Sequence, residues 1–136
     1  MSDIYINMGE LAMSVIETSI LRESLSEVID FDRNRAYKLF GTFKKYSEEI
    51  ISEGYTGTAE NADNLKNMAH RLKSCCNFFG AIPLEAALEK LEQMAATNKI
   101  ENIRSLYFEV TQLAKETVSE LEVQIDRLIV EAKKSA

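Results

Sequence analysis

Apolar residues recur every three or four positions along most of the chain, and this spacing predicts amphipathic helices. Four such stretches follow one another at 33–52, 59–79, 84–96 and 101–133. A further stretch at 3–29 carries the same pattern and can form either one helix or two. The connections are short, and the chain contains only five glycines and one proline. The pattern therefore predicts an all-α protein, an antiparallel up-down four-helix bundle with an additional N-terminal helical segment.

The length of the chain indicates a single domain. A chain of 136 residues is typical of one domain with one hydrophobic core. We expect residues 1–136 to form that domain, with an N-terminal helical extension at 1–29 and the four-helix core at 30–133. The extension could either cover one end of the core or mediate self-association. The first is favoured, because most amphipathic helices bury their apolar face within their own chain.

The only histidine in the sequence, His70, lies in the third stretch. At about 100° per residue on a helical wheel, the apolar residues of this stretch fall within about 60° of Leu72, whereas His70 points about 160° away from it. A lone histidine is often a hydrogen-bonded core residue, but the wheel predicts that this imidazole faces solvent. The buried stripe is predicted to comprise Leu65, Met68, Ala69, Leu72, Cys75, Cys76 and Phe79.

Basic and small polar residues surround His70 on the predicted solvent face. Residues three and four positions apart are neighbours on a helix, so Lys66 and Lys73 flank the imidazole. Two ammonium groups beside an exposed imidazole favour an anion bound there, although a solvated lysine is an equally good interpretation of Lys66. This basic patch contrasts with the net charge of −6 of the whole chain. The predicted neighbours of the histidine are Lys66, Asn67, Lys73, Ser74 and Asn77.

A short segment around the histidine has a distinctive order of residues. It runs Ala69-His70-Arg71-Leu72-Lys73-Ser74, continues with small and apolar residues, and ends at Gly80-Ala81. This order resembles the signature of histidine-containing phosphotransfer (Hpt) domains, in which Ala-His-x-Leu-Lys-Gly is followed by a closing Gly-Ala pair. Ser74 departs from the glycine that is most common in the family, but serine is also small and its hydroxyl can donate a hydrogen bond to a phosphoryl oxygen. The resemblance covers roughly residues 25–128.

The resemblance implies a phosphorelay intermediate in two-component signal transduction. His70 would accept a phosphoryl group from a receiver-domain aspartate and pass it to another receiver. The implied partners are the receiver domains of a hybrid sensor histidine kinase and of a response regulator. The phosphate environment is expected to comprise Lys66, Lys73, Ser74 and Asn77, and the partner surface Tyr37, Asn67 and Arg71. For Tyr37, an isolated exposed aromatic residue is at least as good an interpretation, since single exposed apolar side chains are common.

The sequence carries no pattern for nucleotide or metal chemistry. Its glycines stand apart from one another, so there is no glycine-rich phosphate loop, and we expect a phosphocarrier without ATP-binding or kinase machinery rather than an enzyme. No cofactor is expected, and the Mg²⁺ that assists phosphoryl transfer would come from the receiver partner. Cys75 and Cys76 are adjacent, which is not the spacing of a metal site or a disulfide framework, so we expect buried free thiols and no bound metal.

The polar face of the fourth stretch carries Glu85, Glu89 and Glu92. Charged runs of this kind usually form a solvated helix face, and we expect one here. The carboxylates are only a weak indication of acid–base chemistry.

Charge and hydropathy argue against two other classes of partner, nucleic acid and membrane. A net charge of −6 argues against nucleic acid, because phosphate binding needs a basic surface. No apolar run approaches the length of a membrane span, and residues 1–3 begin no secretory signal. We therefore expect a cytoplasmic protein, a monomer without membrane contact.

Two other classes of function also fit the pattern. One is a helical adaptor that binds receiver domains through the same surface without carrying phosphate, which only a labelling assay distinguishes. The other is a homodimeric interaction module built on the long terminal helices, which light scattering would detect.

Overall fold

In a computed structural model of the protein, the described residues are 14–97 and 100–135. They form only helices and connecting turns, with no β-strand among them. The helices are α1 (Thr18–Phe31), α2 (Arg33–Glu53), α3 (Ala59–Phe79), α4 (Ile82–Ala96) and α5 (Ile100–Ser135). The predicted all-α class is confirmed, and the bounds of α2 to α5 agree with the sequence prediction to within two residues at each end.

Local sequence explains where the helices begin and end. The side chain of Asp32 accepts a hydrogen bond of 3.0 Å from the backbone N–H two residues later and begins α2. The hydroxyl of Thr58 does the same for the N–H three residues later and begins α3. Gly80 ends α3 in the left-handed conformation, with φ 71°, and Pro83 lies in the first turn of α4.

Contacts between the helices define an antiparallel bundle. Between α2 and α3, the ring centroids of Phe43 and Phe79 lie 5.2 Å apart. Glu49, which comes later on α2, pairs with Arg71, which comes earlier on α3. The two helices therefore run in opposite directions. α4 packs against α3 and α5, and α2 packs against α3 and α5, so the four helices enclose one core. This is the predicted up-down bundle.

α1 packs against this bundle and contacts α2, α3 and α5, and its Leu21 and Leu25 are fully buried in the same core. The hydroxyl of Thr18 donates a hydrogen bond of 3.1 Å to Oε1 of Gln124. Arg22 makes two hydrogen bonds, of 3.1 and 3.2 Å, to the carboxylate of Glu131. At about 1.5 Å per residue, the 36 residues of α5 span about 54 Å, and their C-terminal half provides both of these contacts.

Within the predicted helical stretch at 3–29, residues 14–17 lie outside any helix and α1 begins at Thr18. The preceding residue, Glu17, has an extended backbone, and its N–H donates a hydrogen bond of 2.8 Å to the carbonyl oxygen of Gly80. This bond ties the chain to the α3–α4 turn immediately before the helix begins. The remainder of the predicted extension, 1–13, lies outside the described residues. No helix in the described ranges is long and apolar enough to span a membrane.

Candidate functional site

His70 lies on α3 at the edge that faces α4. Its side chain is 66% exposed, and its Nδ1 lies 2.9 Å from Oε2 of Glu92. On the opposite side of α3, Leu72 is fully buried, as the helical wheel predicts. The imidazole is therefore open to a partner from solvent while one of its nitrogens is held by α4.

The carboxylate of Glu92 determines which nitrogen of His70 carries the proton. Hydrogen bonding from Lys73 holds the pKa of Glu92 below its ordinary value, so this group is an ionised acceptor. Nδ1 must then be the donor in the hydrogen bond of 2.9 Å. In the neutral ring, this places the lone pair on Nε2. In this tautomer, Nε2 is therefore the ring nitrogen that can act as a nucleophile.

Lys73 lies one turn after His70 and bridges α3 to α4. Its Nζ is 2.7 Å from Oε1 of Glu89 and 2.8 Å from Oε1 of Glu92. Hydrogen bonds to Glu89, the larger effect, and to Glu92 raise the pKa of Lys73 above its ordinary value, so the amine is charged. The other oxygen of Glu89 accepts a hydrogen bond of 2.8 Å from Gln93. We call His70, Lys73, Glu89 and Glu92 the α3–α4 charge network.

This network corrects the prediction that the acidic face of α4 is merely solvated. Glu92 is only 23% exposed, because its carboxylate lies against the α3 side chains. The physical reason is the tight turn at Ala81, about which α4 folds back antiparallel to α3. His70 and Glu92 lie eleven positions either side of Ala81, and Lys73 and Glu89 lie eight positions either side. This equal spacing about the turn can be read from the sequence. It is missed when only residues three and four positions apart on one helix are compared.

The other predicted phosphate contacts have local partners or lie exposed. Nζ of Lys66 is 3.4 Å from Oδ1 of Asp63, one turn earlier on α3. The hydroxyl of Ser74 donates a hydrogen bond of 2.6 Å to the backbone carbonyl three residues before it. Asn77 is exposed on α3. Of the predicted phosphate contacts, the structure brings only Lys73 into the network that holds His70.

Arg71 turns towards α2 rather than α4. Its Nη2 lies 3.4 Å from Oε1 of Glu49, and its guanidinium carbon lies 5.3 Å from the ring centroid of Tyr46. The stacking of a guanidinium on an aromatic face is a cation–π contact. Asn67, one turn earlier, is exposed. These two residues therefore lie on accessible surface beside His70, on its α2 side.

Comparison with known families identifies the family to which the chain belongs. The family model for the Hpt domain matches residues 34–129, which is more than two-thirds of the chain. The chain belongs to the Hpt domain family. No curated protein and no solved structure matches it. Hpt domains are phosphocarriers rather than kinases, so this chain has a histidine phosphotransfer role in a phosphorelay and interacts with receiver domains.

Tyr37 lies apart from the histidine of this Hpt domain. Its side chain is exposed, and its hydroxyl donates a hydrogen bond of 3.1 Å to Oδ1 of Asp126 on α5. Tyr37 precedes Glu49, the partner of Arg71, by twelve positions, or about 18 Å along α2. A partner centred on His70 would have to extend along α2 to reach this ring.

The two cysteines of the Hpt domain are free thiols. Cys76 is fully buried in the core, and burial raises the pKa of its thiol well above the ordinary value. Cys75 is only partly buried, so the predicted burial holds fully for one of the two. Across 14–97 and 100–135, no three side chains of histidine, cysteine, aspartate or glutamate are grouped to hold a metal ion.

Proposed function

We propose that His70 accepts a phosphoryl group from the aspartyl phosphate of one receiver domain and passes it to the aspartate of another. The observation that carries this proposal is that His70 is the only histidine in the whole chain. It lies within the residues that match the Hpt domain, and its side chain is 66% exposed. The donor would be the receiver of a hybrid sensor histidine kinase, and the acceptor that of a response regulator.

The geometry supports a transfer in which the imidazole keeps its own proton. The lone pair of Nε2 attacks phosphorus, and an N–P bond forms as the P–O bond to the receiver aspartate breaks. The aspartate leaves with that electron pair as a carboxylate. The proton stays on Nδ1, so the ring becomes a phosphoimidazolium cation whose charge is offset by Glu92 at 2.9 Å. In the second transfer, the acceptor aspartate attacks phosphorus and the neutral imidazole leaves.

The surroundings of the phosphoryl group would come from both partners. Lys73 would offset its charge as a flexible ammonium, with Ser74, Asn77 and Lys66 as further polar contacts. The acidic pocket of the receiver would supply Mg²⁺, so this chain would need no cofactor of its own. Arg71 and Asn67 would contact the receiver beside the histidine.

A transfer assay tests the proposal. Receiver domains from the source organism are phosphorylated and mixed with the wild-type protein or with His70→Gln, whose fold is checked by circular dichroism. We expect acid-labile label on the wild type only. Label on folded His70→Gln would overturn the assignment of His70. Binding of receivers without any transfer to the wild type would favour the adaptor function instead.

A further inference from the structure

Lys73 is shared between two carboxylates before any phosphoryl group arrives. Its Nζ lies within 2.8 Å of both Glu89 and Glu92, and only 23% of the lysine side chain is exposed. The three side chains together carry a net charge of −1. The lysine that an incoming anion would use is therefore already neutralised by groups of this chain.

A phosphoryl group on His70 adds up to two negative charges and strong acceptor oxygens beside this network. Lys73 is a compact charge with three donors on a flexible stem, so it can turn from α4 towards the phosphoryl oxygens. Each hydrogen bond that it gives to phosphate is withdrawn from Glu89 or Glu92. The two carboxylates and the phosphoryl group therefore compete for one ammonium.

The two carboxylates differ in what else they contact. Glu92 also accepts a hydrogen bond from Nδ1 of His70, so it helps to fix which ring nitrogen acts as the nucleophile. Glu89 contacts Lys73 and is oriented towards it by the hydrogen bond of 2.8 Å from Gln93. Its effect on the histidine would therefore pass through the lysine.

We propose that Glu89 is a positioning residue that competes with the phosphoryl group for Lys73, lowers the equilibrium phosphorylation of His70, and so biases this Hpt domain towards phosphoryl donation. The inference rests on the proposed function of His70. It concerns the position of the equilibrium between aspartyl phosphate on a receiver and phosphohistidine on this chain. The bonds made and broken in that exchange are those given above, and Glu89 takes no part in them.

The test measures this equilibrium with one receiver that phosphorylates the wild-type protein. For Glu89→Gln, we expect the equilibrium constant for phosphorylation of His70 to rise about twofold to fivefold, the range for a partly exposed ion pair. The rise should shrink at high salt, where such pairs are screened. Glu122→Gln removes the same charge from an exposed position on α5 and should leave the constant unchanged.

A double-mutant cycle with Lys73→Gln separates competition from other effects. Lys73→Gln alone should lower the equilibrium phosphorylation of His70, and adding Glu89→Gln should then change nothing further. An unchanged or lower constant for folded Glu89→Gln, while the wild type is phosphorylated, would overturn the inference alone. An equal rise in the Lys73→Gln background would overturn it too, because the effect would not pass through the lysine. Absence of phosphorylation of the wild type would remove both this inference and the proposed function.

Discussion

Replacing Gly80 by alanine should destabilise the fold more than the addition of one methyl group suggests. Gly80 has φ 71°, a left-handed conformation that costs a residue with a Cβ roughly 1 kcal/mol. An added Cβ would also lie 2.6 Å from the carbonyl oxygen of Glu17 and 3.2 Å from Cβ of Ile20. The first of these neighbours is backbone, so α1 would have to move away from the α3–α4 turn. Overpacking of this kind typically costs about 1–3 kcal/mol.

The two effects together predict a loss of about 2–4 kcal/mol in the free energy of unfolding. For a chain of this length, we expect the midpoint of thermal unfolding to fall by roughly 6–15 °C. Urea unfolding followed by circular dichroism measures the free energy directly, and the m-value shows whether the transition is otherwise unchanged.

Gly41→Ala is the matched control. Gly41 lies within α2, and an added Cβ there meets no heavy atom within 4 Å. This substitution should stabilise the protein by about 0.5–1 kcal/mol, because alanine is the better helix former. If Gly80→Ala were as stable as the wild type, the close approach of α1 to the α3–α4 turn would be wrong.

Two further substitutions test the network and the core. Glu92→Gln should slow phosphorylation of His70 about threefold to tenfold in rapid-quench kinetics, because an amide holds the Nδ1 proton less strongly; an unchanged rate would contradict the role of this carboxylate. The pKa of Glu92 is lowered in the folded protein, so its ionised carboxylate stabilises the fold above pH 4.5. The wild type should therefore lose its stability advantage over Glu92→Gln as the pH falls below that value. Urea titrations at several pH values measure this difference. Tyr107→Phe should cost about 1–2 kcal/mol in urea unfolding. The hydroxyl donates to the carbonyl oxygens of Ile50 and Ile51, at 3.0 and 2.9 Å, and accepts from the N–H of Gly54 at 3.0 Å. A loss below 0.5 kcal/mol, roughly the lower bound for a single hydrogen bond, would show that water replaces these contacts.

The helices of this protein were predictable because each carries its own apolar repeat. The ends of α2 and α3 depend on single side chains or glycines, such as Asp32, Thr58 and Gly80, whose preferences are local. The beginning of α1 was not predictable in the same way. It depends on the hydrogen bond between Glu17 and Gly80, which joins positions far apart in sequence.

The candidate site was predictable only along its own helix. Exposure of His70 and the proximity of Lys73 follow from the helical repeat. Glu89 and Glu92 enter from α4, and their approach depends on the register set by the turn at Ala81. The ion pair that a predicted site residue forms also depends on the charges near it. Lys66 follows the helical prediction in position, yet its nearest anion is Asp63 of its own helix.

The measurement that tests the central claim most directly is the mass and position of the group transferred to this chain. The protein is incubated with a phosphorylated receiver, digested at neutral pH, and analysed by tandem mass spectrometry. The account predicts one added phosphoryl group, on the peptide that contains His70, which is lost after brief acid treatment. A phosphoryl group on any other residue, or one that survives acid, would contradict the account.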